Sequence, residues 1–225
     1  MPRIEGMRWF KKEFGDQVNA AVADSPFGIN LITAIAVQES YDDAWGLIYR
    51  DQPVQQVLTR CVGDTLDSPK RDSKAFPKNR NELEHHGPDG KRMFRIARTA
   101  LEDLATFSKG YKAAVKNPDK FCHAFGIFQY DIQFFDVSKD FFLKSQWPDF
   151  ARCLDFCMKE LRKSAAYLYP GKAKLSPKEQ TFVAIGYNIG PRRVKKDGDF
   201  NQGHVSDGRS YGQNIWDYIN LASKV

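Results

Sequence analysis

The chain has 225 residues, 42% hydrophobic and 13% aromatic, with a formal net charge of +6 and a pI near 9.0. That length suits one large domain, or one domain with an elaborated lobe, and the composition is ample for a real core. Four cysteines are too few for a disulfide scaffold, no run approaches a transmembrane span, and the positive balance calls for an anionic partner without choosing among nucleic acid, membrane surface and cell wall.

In chain order the pattern is helical. Met7, Phe10, Phe14, Val18 and Val22 recur at three- and four-residue spacing and predict an amphipathic helix over 6–23, stopped by Asp24-Ser25-Pro26. A second helix is predicted over Leu31–Ser40, with Asn30 as its N-cap. Pro53–Val62 reads as a short helix. Residues 63–91 are polar and irregular, punctuated by Pro69, Pro77, Gly87, Pro88 and Gly90, and read as a long mobile loop in which His85-His86 is a solvated pair rather than a zinc site. Arg92–Phe107 returns to a helix with Met93, Ile96, Ala97, Ala100, Leu101 and Leu104 on one face. Asn117-Pro118 reads as the cap and first residue of a short helical turn. Residues 123–131 fit no clean period. A long helix is predicted over Trp147–Tyr169. Ser176-Pro-Lys-Glu179 is a capping box that opens a helix ended by Gly190-Pro191. A loop over 195–208 and a last helix over Tyr211–Ala222 complete the chain. Strand-like alternation is scarce. Cys61 and Cys122 are candidates for pairing, though nothing demands it. No metal spacing appears and no cofactor is expected.

The second helix carries the chemistry. Ile32, Ile35 and Ala36 recur at helical spacing, and Glu39 is the next position on their stripe, at the helix end. Apolar surroundings and the negative end of the helix dipole both disfavour a charged carboxylate there. A carboxyl group kept protonated near neutral pH is what a general acid needs.

Three stretches stand out together: Gln38-Glu39-Ser40, then Ala124-Phe-Gly-Ile-Phe-Gln129-Tyr130-Asp131, then Gly186-Tyr187-Asn188-Ile-Gly190-Pro191. In this order they resemble the goose-type lysozymes and the soluble lytic transglycosylases. Those proteins have a Glu-Ser at a helix end, an Ala-x-Gly-Leu-Met-Gln-like segment and a closing Ala-Tyr-Asn-x-Gly motif. Arg193-Val194 and Tyr211 also fit. The resemblance covers about 25–50 and 117–222. It implies a mainly α, lysozyme-like catalytic domain over 1–225, and the wide gap between the first two motifs implies an inserted lobe at about 52–120. In that lobe Lys70, Arg71, Lys74, Lys78 and Arg80 are candidates to line a glycan cleft.

The resemblance implies cleavage of the N-acetylmuramic acid to N-acetylglucosamine β-1,4 bond of peptidoglycan, with Glu39 as the general acid and Ser40, Gln129, Tyr130, Tyr187 and Asn188 around the substrate. Tyr187 offers a phenol to Glu39 or to the scissile sugar. A transglycosylase needs no second carboxylate, because the substrate's own C6 hydroxyl closes an anhydro ring. An inverting hydrolase needs one, and Asp131 is the best placed, ahead of Asp42, Asp43 and Asp51. The sequence departs from the family at Gly186, usually Ala, and at Ile127-Phe128, usually Leu-Met. A chitinase on the same fold, or a non-catalytic cell-wall-binding module, is the alternative. The partner expected is peptidoglycan or a chitin-like glycan. Nucleic acid is not expected, since no recognised motif is present, and neither is stable membrane insertion. The N-terminus lacks the apolar core of a secretory signal, which suits a phage endolysin, a secreted effector or one domain of a larger exported protein.

Overall fold

The computed structural model describes residues 2–65, 76–206 and 208–225. The described chain is mainly helical. Its elements run α1 (Pro2–Val22), α2 (Ile29–Ser40), α3 (Val54–Thr59), β1 (Val62–Gly63), α4 (Arg80–Glu84), α5 (Gly87–Phe107), β2 (Ala124–Phe125), β3 (Tyr130–Asp131), α6 (Lys139–Leu143), α7 (Phe150–Leu168), α8 (Pro177–Ile189), β4 (Val205–Ser206), β5 (Arg209–Ser210) and α9 (Tyr211–Ala222). Short 3-10 turns fill several of the connections. The chain divides into two units, Met1–Glu39 with Leu154–Val225, and Ser40–Cys153. The stretch 52–120 falls entirely within the second.

In the first unit α2 is buried all round rather than along one stripe. Every residue from Leu31 to Val37 is inaccessible or nearly so, including Thr33, whose hydroxyl donates back to the Ile29 carbonyl at 2.9 Å. Full burial of a leucine or isoleucine is worth about 1.5–3 kcal/mol, so a helix with Leu31, Ile32 and Ile35 at its centre anchors the fold around it. Asn30 lies inside this helix and does not cap it. Its side-chain oxygen instead accepts from the Lys11 ammonium at 2.8 Å. That ammonium also donates to the carbonyls of Ala222 and Val225, tying α1 to the end of α9.

α8 begins at the capping box that Ser176 and Glu179 predict, with Pro177 at its first turn. α9 begins at a second one, made by Ser210 and Gln213. The two helices approach closely at Gly212, where a Cβ would stand 2.5 Å from the Phe200 carbonyl and 2.6 Å from the Ile185 side chain. Where the expected 195–208 loop ends, the chain makes a small antiparallel pairing, β4 with β5.

The second unit is built on α5, whose Met93, Ala97, Leu101 and Leu104 are fully buried. Arg98 donates to the carbonyls of Val115, Asn117 and Lys120, fastening the segment that leads to the sheet. That sheet has the order β1-β2-β3, antiparallel throughout, pairing Val62 with Phe125 and Phe125 with Tyr130. Phe125 also packs against Phe142 and Trp147, at 5.6 and 4.9 Å between ring centroids.

Three expectations need correction here. The 63–91 stretch is not simply a loop: Asn79 caps α4 through its side chain, and Gly87-Pro88 opens α5, so proline and glycine mark a helix start rather than an absence of structure. Lys70, Arg71 and Lys74 of the expected cleft lining lie outside the described residues, while Arg80 is held by Glu84 and Asp119. Asn117 does not open a helix. It closes the 3-10 turn Ala114–Lys116, and its side chain accepts from the Asp119 amide. The four cysteines are free, buried thiols, so Cys61 and Cys122 are not bridged.

Candidate active site

Glu39 sits in the last turn of α2. Part of its surface is accessible, yet its carboxyl lies deep enough that desolvation raises its pKa from 4.5 to about 7. The hydrogen bond from Tyr211 opposes this rise without cancelling it. The physical cause is the helix that carries it. α2 is a core helix, and a side chain on its final turn has little water to share.

The phenol that donates to Glu39 is Tyr211, at 2.7 Å from Oε1. Tyr211 is the first residue of α9, fixed by the Ser210 cap beneath it and buried. Burial first, then the negative charge of Glu39 and the neighbouring phenol of Tyr187, push the Tyr211 pKa well above its usual value. It therefore stays a donor throughout the physiological range. One carboxyl oxygen of Glu39 is thereby fixed, which orients the group and leaves Oε2 outside this bond.

Tyr187 and Asn188 occupy the last turn of α8, just before Gly190 turns the chain with φ 85°. Tyr187 stands next to Tyr211, close enough to bias it electrostatically. Asn188 has a structural partner: its Oδ1 accepts from the His204 amide at 2.9 Å and so holds the base of the β4–β5 hairpin. Gly203 makes this approach feasible. Its φ is 90°, and a Cβ there would lie 2.7 Å from Tyr211 and 3.0 Å from the Asn188 oxygen. Gly186, where the proteins it resembles have alanine, also has a local reason. The Ser164 hydroxyl, which donates to the Val183 carbonyl, would stand 2.2 Å from an added Cβ.

The other residues singled out by the sequence belong to the second unit. Ser40 is buried and donates to the Ile127 carbonyl at 2.7 Å. Gln129 adopts a left-handed conformation, φ 52°, and its amide donates to the Gly126 carbonyl. This is the tight turn between β2 and β3, and Gly126 itself has φ 80°, with Cys153 Sγ filling the space a side chain would need. Tyr130 lies stacked between Phe134 and Phe142, and its hydroxyl meets Ser138 at 3.1 Å. Asp131 caps the following 3-10 turn, accepting from the Gln133 amide at 2.7 Å. Beside them is a group the sequence reading did not find. The Tyr111 phenol accepts from the Asp64 amide, and burial and the charge of Asp43, with smaller contributions from Cys122 and Asp64, raise its pKa. Asp43 was offered only as a remote candidate for a second carboxylate, and no motif or spacing joins Tyr111 and Asp64 to it.

Among the described residues no group of three or more His, Cys, Asp or Glu is placed to hold a metal ion, and no helix is long and apolar enough to cross a membrane. Comparison of the chain with protein-family models, with curated proteins and with solved structures returns no match.

Proposed function

We propose that the protein is a glycosidase of lysozyme-like fold that cleaves the β-1,4 bond between N-acetylmuramic acid and N-acetylglucosamine in peptidoglycan, with Glu39 as its general acid. The observation that carries the reading is the state of Glu39: a lone carboxyl at the end of a buried helix, protonated to about pH 7, with one oxygen held by a phenol. The order of the three motifs supports the substrate class by resemblance.

Breaking a glycosidic bond requires a proton on the leaving oxygen as the C1–O bond lengthens toward an oxocarbenium ion. Glu39 gives that proton from the oxygen not engaged by Tyr211. The carboxylate that remains is stabilised by the Tyr211 hydrogen bond. C1 is then attacked either by water, which in an inverting enzyme loses its proton to a second carboxylate, or by the C6 hydroxyl of the muramic acid, which gives its proton to Glu39. Asp131 already uses one oxygen as an N-cap, which favours the second route, since that route asks nothing of a second carboxylate. Tyr187, beside Tyr211, is the nearer candidate for contact with the sugar. Ser40, Gln129 and Tyr130 each hold an internal partner, and the reading asks of them only that they shape the backbone of their turn.

Mass spectrometry of the products from purified peptidoglycan tests the proposal. Anhydro-muropeptides identify the intramolecular route, and new reducing ends identify hydrolysis. Absence of both, with chitin also left intact by folded protein, overturns the assignment.

A further inference from the structure

The positive charge of the chain is not spread along it. Residues 159–199 hold ten lysines and arginines against four acids, which accounts for the whole net charge of +6; the rest of the chain has 24 of each sign. These residues cover the second half of α7, the start and end of α8, and the 3-10 turn Pro191–Arg193 that follows.

The contacts bring several of these pieces together. The Lys196 ammonium donates to the Leu168 carbonyl at the end of α7 and lies 5.4 Å from the Tyr169 ring centroid. Ser164, one turn earlier in α7, packs against Gly186 of α8, and Pro191 lies 3.3 Å from the same point. The end of α7, the Pro191–Arg193 turn and Lys195-Lys196 therefore share one surface. Tyr167, on the last turn of α7, is 55% exposed. Arg192 and Lys195 are exposed and make no ion pair among the described residues. Charges left exposed and unneutralised at close quarters cost folding energy by mutual repulsion, and an external polyanion relieves it.

We propose that this surface binds a phosphodiester-bearing polymer of the cell wall, holding the enzyme on the wall independently of the glycan it cuts. The identity of the polymer rests on the glycosidase reading; the existence of the surface does not. Of the ten cations seven are lysines. Lysine is a point charge that tracks a flexible polyanion, whereas base reading in nucleic acid relies on the forked geometry of arginine.

The test measures binding with the full chain carrying Glu39→Gln, so that turnover plays no part. The probes are sacculi that retain their phosphodiester polymer, the same sacculi stripped of it, and a single-stranded DNA oligonucleotide. The triple variant Arg192→Gln, Lys195→Gln, Lys196→Gln is compared with Lys109→Gln, Lys112→Gln, Lys116→Gln, which removes equal charge from exposed positions in the second unit. Each phosphate neutralised contributes about 0.7–0.9 to the slope of log affinity against log salt. We expect the first triple to lower that slope by about 2 and to weaken binding to intact sacculi at least tenfold, and the second to leave both nearly unchanged. Equal binding to stripped sacculi, equal weakening by both triples, or tighter binding to DNA than to the wall polymer overturns the proposal. A failure of the wild-type protein to cleave peptidoglycan would overturn the glycosidase reading and leave the binding comparison readable.

Discussion

On the proposed reading, Glu39 and Tyr211 are the pair on which the chemistry turns. Glu39→Gln keeps shape and hydrogen bonding but has no acidic proton, so turnover is expected to fall by about a hundred- to ten-thousand-fold, as read by muropeptide release. The same residue sets a pH dependence of stability. Its pKa is raised from 4.5 to about 7 in the folded protein, so its contribution is fully present below pH 4.5 and is lost as pH climbs through 7. One pKa unit corresponds to about 1.4 kcal/mol, and the loss is therefore roughly 3 kcal/mol. Urea unfolding at pH 4 and pH 8 measures it; the difference between the two should shrink by about that amount in Glu39→Gln, and an unchanged difference refutes the burial of the acid. Tyr211→Phe removes the bond that holds the Glu39 pKa down. The alkaline limb of the pH–rate profile should move upward while the maximal rate drops. A limb that stays in place would show that the phenol does not act on the carboxyl. At this scale Glu39 was legible because a buried helix writes its end in apolar residues. Tyr211 as its donor was not, because 172 residues separate the pair and Tyr187 offered the same phenol from a neighbouring motif.

Elements were read best where their ends carry their own signals. The Ser176–Glu179 box and the Gly190 stop gave α8 almost to the residue. α4 and the first turn of α5 were missed because proline and glycine at 77–90 were read as loop punctuation, although Asn79 and Gly87-Pro88 are helix-opening residues. The strands were illegible for a different reason: two-residue pairings such as Val62–Gly63 with Ala124–Phe125 are too short to alternate. One helix contact yields a sharp test. In Gly186→Ala the new methyl group meets the Ser164 hydroxyl, and overpacking of this kind costs about 1–3 kcal/mol. Adding Ser164→Ala removes the obstructing oxygen and should recover most of the loss in thermal denaturation. If the double variant is as unstable as the single, the obstruction lies elsewhere in the helix pair.

For the molecule as a whole, Lys11 is one of the side chains that tie α1 to α9. It serves Asn30, Ala222 and Val225 at once, and its part-burial lowers its pKa. Lys11→Met keeps the aliphatic stem and strands three acceptors, each hydrogen bond being worth about 1 kcal/mol net. We expect a loss of about 1–3 kcal/mol in chemical denaturation, with faster amide exchange at the end of α9. Protection of α9 equal to wild type would show that water replaces the ammonium without cost. The mainly helical class was legible throughout. The division of the chain was not, because it falls within two helices whose sequences run on without a break, after Glu39 in α2 and before Leu154 in α7.

That division sets a timetable. The ribosome delivers Glu39 first, then the whole of Ser40–Cys153, and Tyr211 only after that. At about 5–20 residues per second, the carboxyl waits on the order of ten seconds or more for the phenol that orients it. A nascent or truncated chain can possess the second unit complete and still have no assembled acid. On the glycosidase reading, the protein is silent until α9 has been made, and that helix serves as the arming step.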